Sequence, residues 1–303
     1  MTGPNLYAGS AIDRAAHRRS DADWIEAQFH HSEARILPVW RNESLIQAVE
    51  PPAASLVSSS SVLASMEKET IVAFLGLFEA IPYFAVDVSH LDDPVGFAEA
   101  AKARFADLRE LGPLLCPEEA GILAYARGLV YWHQHYGYCT LCGSKTESAE
   151  AGHMRRCLDG ACGAEHFPRT DPAVITLVTN GNACLLGRQA SWPKGMYSAL
   201  AGFVEPGESL EGAVSREILE ETGVGVSHIQ YISSQPWPFP ASLMIGFRAE
   251  ARGGSTIVPR IDELEDAQWF TRSILKNLKQ TPLRLPYRGA IARNMIEDWL
   301  AET

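Results

Sequence analysis

Residues Gly202–Val224 read GFVEPGESLEGAVSREILEETGV, and the spacing of Gly202, Glu208, Arg216, Glu217, Glu220, Glu221 and Gly223 describes a glycine loop feeding a short helix. Pro206 and Gly207 break the chain, Ser209 stands where an N-cap belongs, and the pattern predicts a helix from about Leu210 to Thr222. Leu210, Val214 and Ile218 recur at i, i+4 and i+8, so they should face a core. Glu217 and Glu221 lie on the adjacent ridge, with Glu220 beside them. Like charges gathered in this way destabilise a helix unless something positive sits among them. Mg²⁺ and Mn²⁺ are hard cations that favour such oxygen ligands. Arg216 is placed to orient one carboxylate through a bidentate pair, and Gly223 ends the helix where a left-handed residue is wanted. A bare E-x-x-E-E would read better as a solvated acidic helix, but here many positions are fixed at once.

The full pattern, G-x5-E-x7-R-E-U-x-E-E-x-G-U with Ile218 and Val224 at its bulky aliphatic positions, resembles the Nudix box. The resemblance implies a metal-dependent phosphoanhydride hydrolase of α/β class, an α/β/α sandwich around a mixed sheet. Glu217, Glu220 and Glu221 are the expected ligands for Mg²⁺ or Mn²⁺, Glu217 and Glu221 the first choice, and Glu220 or Glu221 is the candidate general base unless a metal-bound hydroxide needs none.

Ser234–Ser242 reads SQPWPFPAS, with three prolines, two aromatics and no charge. Proline cannot donate to a sheet ladder, so the stretch reads as a stiff loop or strand exit rather than a central strand. It presents Trp237 and Phe239 as faces for a planar ring, with Gln235 and Ser242 as polar contacts; a hydrophobic plug over the core is the other reading of the same residues. Following a Nudix box, the complete motif resembles that of the NADH pyrophosphatase branch, in which this loop reads the dinucleotide. The substrate contacts so implied are Gln235, Pro236, Trp237, Pro238, Phe239, Pro240, Ala241 and Ser242. Enzymes of that branch cleave NADH to reduced nicotinamide mononucleotide and AMP, and some remove NAD caps from RNA 5′ ends. By the same resemblance the Ala201 carbonyl and Glu263 complete the metal site, with Asp262 or Glu265 possible through a one-residue offset. Phe203 offers a ring for stacking, and the Ala292 backbone matches a substrate-touching position. Phe167 stands where relatives can carry a tyrosine that contacts ligand from a partner subunit; it keeps the stacking face and loses the hydroxyl. A homodimer is implied.

Cys139, Cys142, Cys157 and Cys162 are spaced C-x2-C-x14-C-x4-C, which resembles a zinc ribbon whose four thiolates close a structural Zn²⁺ site with no open position for water. Two disulfides are the competing reading, disfavoured because six cysteines in 303 residues without a signal peptide is not a secreted composition. His153 and His166 flank the cluster and read as surface or packing residues; Cys116 and Cys184 read as buried thiols.

A net charge of −11 argues against a passive nucleic-acid binder. No apolar run is long enough to span a bilayer, so a cytoplasmic protein is expected. The expected organisation is an inert N-terminal α/β domain over 1–130, which the resemblance makes a degenerate Nudix-like fold, a zinc ribbon over 135–168 and a catalytic domain over 169–303. In the first of these, strands are expected at Arg35–Trp40 and Ile71–Gly76, a loop at Ser58–Ser61, and helices at Val95–Leu111 and Glu118–His135. In the last, strands are expected at 173–178, 183–188, 197–204, 225–232, 243–251 and 267–270, and helices at 271–278 and 288–300. Rival functions are a Nudix enzyme for ADP-ribose, a diadenosine polyphosphate or a nucleoside triphosphate, and a non-enzymatic zinc-ribbon module that binds a nucleotide, RNA or protein.

Overall fold

The computed structural model describes residues 5–302 except 10, 68, 95, 97–101, 254, 255 and 259–262. They form two compact units, Tyr7–Thr170 with Pro238–Ala241, and Asp171–Trp237 with Ser242–Thr303, the latter also taking in Asn5 and Leu6. Among the described residues no helix is long and apolar enough to cross a membrane.

The first unit is built on strands β1 (Arg35–Trp40), β2 (Glu43–Gln47), β3 (Ala53–Ala54), β4 (Val72–Phe78), β5 (Ile81–Asp87) and β6 (Ala103–Ala106). Their order is β3-β2-β1-β5-β4, with β6 also on β2. Only β1 and β5 run parallel; the other pairs are antiparallel. Ile36, Phe74, Phe84 and Val86 fill its core, where Phe29 meets Phe84 edge-on at 5.1 Å. The helix Pro117–His135 packs on the sheet; it opens with proline at its first position and Glu118 and Glu119 in its first turn, both favourable there.

Two expectations in this unit are corrected. The helix expected over Val95–Leu111 gives way to β6 and a separate short helix, Leu108–Leu111, with residues 95 and 97–101 outside the described residues. Asp107 ends the strand by capping that helix, its carboxylate accepting from Arg109 N at 2.8 Å, while Ala103–Ala106 is drawn into the sheet by antiparallel pairing with Ser44–Gln47 of β2. The serine stretch expected as a loop runs into a helix, Ser59–Leu63, anchored by fully buried Val62.

The same unit holds a three-stranded ribbon, β7 (Thr146–Ala149), β8 (Met154–Cys157) and β9 (Glu165–His166). A buried polar network ties it down. Arg155 donates to His133 Nδ1 at 2.8 Å, so the His133 Nε2–H donates to the Gly152 carbonyl at 2.9 Å. His153 reaches the Phe74 carbonyl at 2.8 Å, which fits its packing assignment.

The second unit carries β10 (Asp171–Asn180), β11 (Ala183–Arg188), β12 (Leu200–Phe203), β13 (Val226–Trp237), β14 (Ser242–Ala251) and β15 (Asp266–Thr271). The order is β13-β14-β10-β11-β15, with β12 on β10, and β10–β14 is the parallel pair of a mixed sheet. Alternation along β10 sends Val174 and Val178 to one face and Ile175 and Leu177 to the other, and both faces are buried. One core takes Val214 and Ile218 from the helix Leu210–Thr222; the other takes Ile291, Met295 and Trp299 from the helix Ile291–Ala301. This is the expected α/β/α sandwich. Strand β12 is shorter than the expected 197–204, and the helix expected over 271–278 stops at Lys276 after a Thr271 cap.

Strand β13 runs further than expected, through Gln235, Pro236 and Trp237. Among the described residues it is an edge strand, paired only with β14, which is where proline is tolerated inside a sheet.

Burial pushes the pKa of His133 and of His153 down to about 4 from 6.5. The unfolded chain takes up protons near 6.5 and the folded chain does not until about 4, so stability is lost as pH falls through that window. Urea midpoints should therefore drop between pH 7 and pH 5, and a His133→Gln/His153→Gln variant should show a flatter profile. An unchanged profile in that variant would contradict the buried-neutral assignment.

Candidate active site

The loop before the box helix and the helix itself are locked together by one guanidinium. Ser209 caps the helix, its Oγ accepting from Gly212 N at 3.0 Å, and Gly223 closes it at φ 72°. Arg216 sends Nε and Nη2 to the two carboxylate oxygens of Glu208, 2.9 Å each, so the expected bidentate pair exists and its partner is Glu208. Those bonds hold the Glu208 carboxyl below the usual carboxylate range. Nη2 also reaches the Phe203 carbonyl at 2.9 Å, and Nη1 reaches Glu217 at 2.8 Å and Glu220 at 3.4 Å.

Glu217 lies against the backbone of β12. A Cβ placed on Gly202 would fall 1.9 Å from the Glu217 carboxylate carbon, so the box glycine is there because the carboxylate needs its space. Ala201 precedes it, paired with Ile175 and exposed. Glu221 is buried, 7% exposed, and its Oε2 has no hydrogen-bond partner among the described residues. Burial first, then the charges of Glu217 and Glu263, push its pKa up to about 8. A buried carboxyl facing two other carboxylates, one oxygen unpartnered, is the environment that a hard divalent cation would relieve. The residues therefore fit such an ion. Glu263 faces this group, whereas Glu265 is paired with Arg188 and Asp262 lies outside the described residues. Glu220 is half-exposed beside Arg216.

The candidate substrate residues are distributed unevenly. Phe203 and Phe167 are exposed, at 60% and 62%, in the second and first unit respectively. Trp237 is half-buried with its ring nearly parallel to Tyr287, 14° and 6.3 Å apart. Tyr287 was not singled out from the sequence, where nothing near Trp237 points to it. Ser242 pairs with Trp237 across the hairpin; Pro236 and Ala241 are half-buried, and Pro240 is exposed. Pro238 and Phe239 are buried, so the exposed stacking face expected of Phe239 is corrected: its ring packs on Tyr7. Gln235 is corrected as well. It is fully buried, and its amide is consumed by the Leu6 and Gly289 carbonyls and by Ile291 N at 2.9–3.0 Å, so its side chain anchors the strand rather than touching a ligand. Ala292 is buried in the first turn of the last helix.

In the ribbon, the ligand atoms of Cys139, Cys142, Cys157 and Cys162 all lie within 4.8 Å of one another. The Cys139–Cys162 and Cys142–Cys157 sulfurs are 3.8 and 3.4 Å apart, near the roughly 3.8 Å edge of a tetrahedron with Zn–S bonds of about 2.3 Å. Backbone N–H groups of Leu141 and Asp159 point at Cys139 and Cys157 sulfurs, 3.4 Å each. These donors would stabilise thiolates, so the site fits Zn²⁺. His166, set aside as packing, has Nε2 at 3.3 Å from the Cys139 sulfur and so supports a ligand. Cys116 is exposed rather than buried because it precedes the first turn of its helix; Cys184 is buried as expected.

The sequence profile described as NUDIX domain matches residues 169–292, which makes the second unit a Nudix hydrolase. Those described as NADH pyrophosphatase-like rudimentary NUDIX domain and NADH pyrophosphatase zinc ribbon domain match 33–132 and 134–167. The human protein named NAD-capped RNA hydrolase NUDT12 is 35% identical over 341 aligned positions, covering 98% of this chain and 73% of its own length. NAD-capped RNA hydrolase NudC of Stutzerimonas stutzeri is 42% identical over 227 positions, 75% of this chain and 76% of its own. The chain belongs to the NADH pyrophosphatase and NAD-capped RNA hydrolase family of Nudix enzymes.

Gly202→Ala should displace the Glu217 carboxylate while leaving the sandwich folded. Hydrolytic activity is expected to fall roughly a hundredfold, as for an ångström-scale misplacement of a catalytic group, with an unchanged circular dichroism spectrum. Wild-type activity in this variant would show that the Glu217 position is not critical.

Proposed function

We propose that this chain hydrolyses the pyrophosphate bond of NADH or NAD⁺ to AMP and (reduced) nicotinamide mononucleotide, and removes NAD caps from RNA 5′ ends. The observation that carries the reading is the buried Glu221 carboxyl with its orphan oxygen, facing Glu217 and Glu263, in a chain whose Ser234–Ser242 motif is complete. The relatives' names supply the capped-RNA substrate.

In this reading Glu217, Glu221, Glu263 and the Ala201 carbonyl hold Mg²⁺ or Mn²⁺. That ion supplies charge neutralisation at the pyrophosphate and a more acidic water. Arg216 does not touch the substrate; it fixes Glu217 and the glycine loop so that the carboxylates need not reorganise. Glu220, half-exposed, is placed to take the proton of the attacking water. Water adds across the bridging P–O bond, one phosphorus gaining hydroxyl and the other leaving as a monoester. Phe203 and Trp237 offer flat faces for the rings of the dinucleotide, and Ala292 its backbone. Phe167 is the stacking residue offered to a partner subunit's ligand in a homodimer. Residues 1–130 form the inert domain, 135–168 the zinc-dependent ribbon and 169–303 the catalytic domain of a cytoplasmic enzyme.

The test is incubation of the zinc-loaded protein with NADH and Mg²⁺ or Mn²⁺, with products separated by chromatography. AMP and reduced nicotinamide mononucleotide are expected, with Glu221→Gln slower by at least about a hundredfold. Cleavage of ADP-ribose or a diadenosine polyphosphate in preference to NADH would reassign the substrate, and no cleavage with either metal would contradict the enzyme reading.

A further inference from the structure

Residues 238–241, the second half of the proline-rich motif, are held within the first unit. Arg127, on the helix Pro117–His135, is 9% exposed. Its Nη1 donates to the Pro238 carbonyl, its Nε donates to the Asn42 carbonyl at 3.2 Å in the turn between β1 and β2, and its guanidinium lies 4.8 Å from the centre of the Phe239 ring. The Arg109 guanidinium lies at the same 4.8 Å from that ring, which also meets Tyr7 edge-on at 5.8 Å, and the Tyr7 hydroxyl donates to the Leu108 carbonyl at 2.9 Å.

Burying a guanidinium is unfavourable, and here burial pushes its pKa down, against the charge of Asp107. A Met or Leu would fill the same space on the helix without that penalty, so packing alone does not require arginine. What an apolar residue cannot do is donate in two directions from one rigid plane. Pro236, Pro238 and Pro240 have no N–H, which leaves the motif few ways to order itself through its own backbone. Arg127 supplies the missing donor from outside. Trp237 is bonded to Pro238, so ordering residues 238–241 restrains the peptide that follows Trp237 in the chain.

We propose that Arg127 is a positioning residue for dinucleotide recognition: its bond to the Pro238 carbonyl and its guanidinium against the Phe239 ring hold residues 238–241, the second half of the recognition motif, in one conformation before substrate arrives. The proposal rests on the reading of residues 234–242 as the dinucleotide-recognition loop. Preorganising a loop improves affinity by removing an ordering cost from the binding step.

The test compares wild type, Arg127→Met and Arg127→Lys, each zinc-loaded and full-length, by NADH kinetics and by amide hydrogen exchange. Arg127→Met should raise KM for NADH about tenfold, the loss of one charge-assisted hydrogen bond, with kcat changed less than about threefold, as expected for lost binding rather than lost chemistry. Exchange at Trp237, Phe239 and Ala241 should rise about tenfold while the Leu210–Thr222 helix keeps its protection. Arg127→Lys should restore thermal stability without restoring KM, because an ammonium lacks the planar fork. Unchanged KM and loop exchange in Arg127→Met, or equal losses of kcat and stability with KM unaltered, would overturn the proposal. Should Arg127→Met not fold, Phe239→Leu takes its place: a raised KM with faster loop exchange supports the proposal and unchanged values overturn it. If wild type does not turn over NADH, the substrate reading fails by itself, and the exchange arm still decides whether Arg127 orders the loop.

Discussion

Arg216 donates to Glu208 through two bonds, to Glu217, to Glu220 and to the carbonyl of Phe203, and in doing so it joins the glycine loop, the end of β12 and two turns of the box helix. Each contact solves a local problem. The helix carries Glu217, Glu220 and Glu221 within five residues, which without a cation beside them would repel, and the Phe203 carbonyl at the end of β12 accepts from the same guanidinium. A lysine would neutralise the charge as a point but not span five acceptors with one plane. Because the guanidinium is committed to these groups, Glu217 is pressed into the space that Gly202 leaves open, and Glu221 is left one turn on, buried, with an oxygen unpartnered. The demand for a metal is thus a consequence of how the helix is tied to the loop.

The sheet beneath makes that arrangement rigid. Strand β10 buries side chains on both faces, so the box helix and the last helix are clamped to opposite sides of the same backbone. The first unit repeats the scheme in reduced form, again with one parallel pair in an otherwise antiparallel sheet, but no box sequence accompanies it. Its ordered polar features lie elsewhere, in the four-cysteine ribbon and in the groups that grip Pro238 and Phe239.

The box helix was readable to the residue because its cap, its apolar ridge and its terminal glycine are all local, and so was the zinc ribbon, whose ligands come in two short pairs. What escaped the sequence depends on distant partners. Ala103–Ala106 reads as helix until its pairing with β2 is known, and Gln235 reads as a ligand contact until Leu6, Gly289 and Ile291 are seen to use up its amide. Phe239 looked like an exposed face for the same reason: nothing near it in the chain announces Tyr7 or Arg127, more than one hundred residues away. Tyr287 beside Trp237 is a further case, an aromatic pair made only by tertiary packing.

The box carboxylates are proposed to hold the catalytic cation. Diffraction at the manganese edge from crystals grown with Mn²⁺ tests it most directly. An anomalous peak is expected about 2.1 Å from carboxylate oxygens of Glu217 and Glu221 and from the Ala201 carbonyl, and is expected to be absent in Glu221→Gln crystals. A peak bound only by other residues, or one that persists unchanged in that variant, would contradict it.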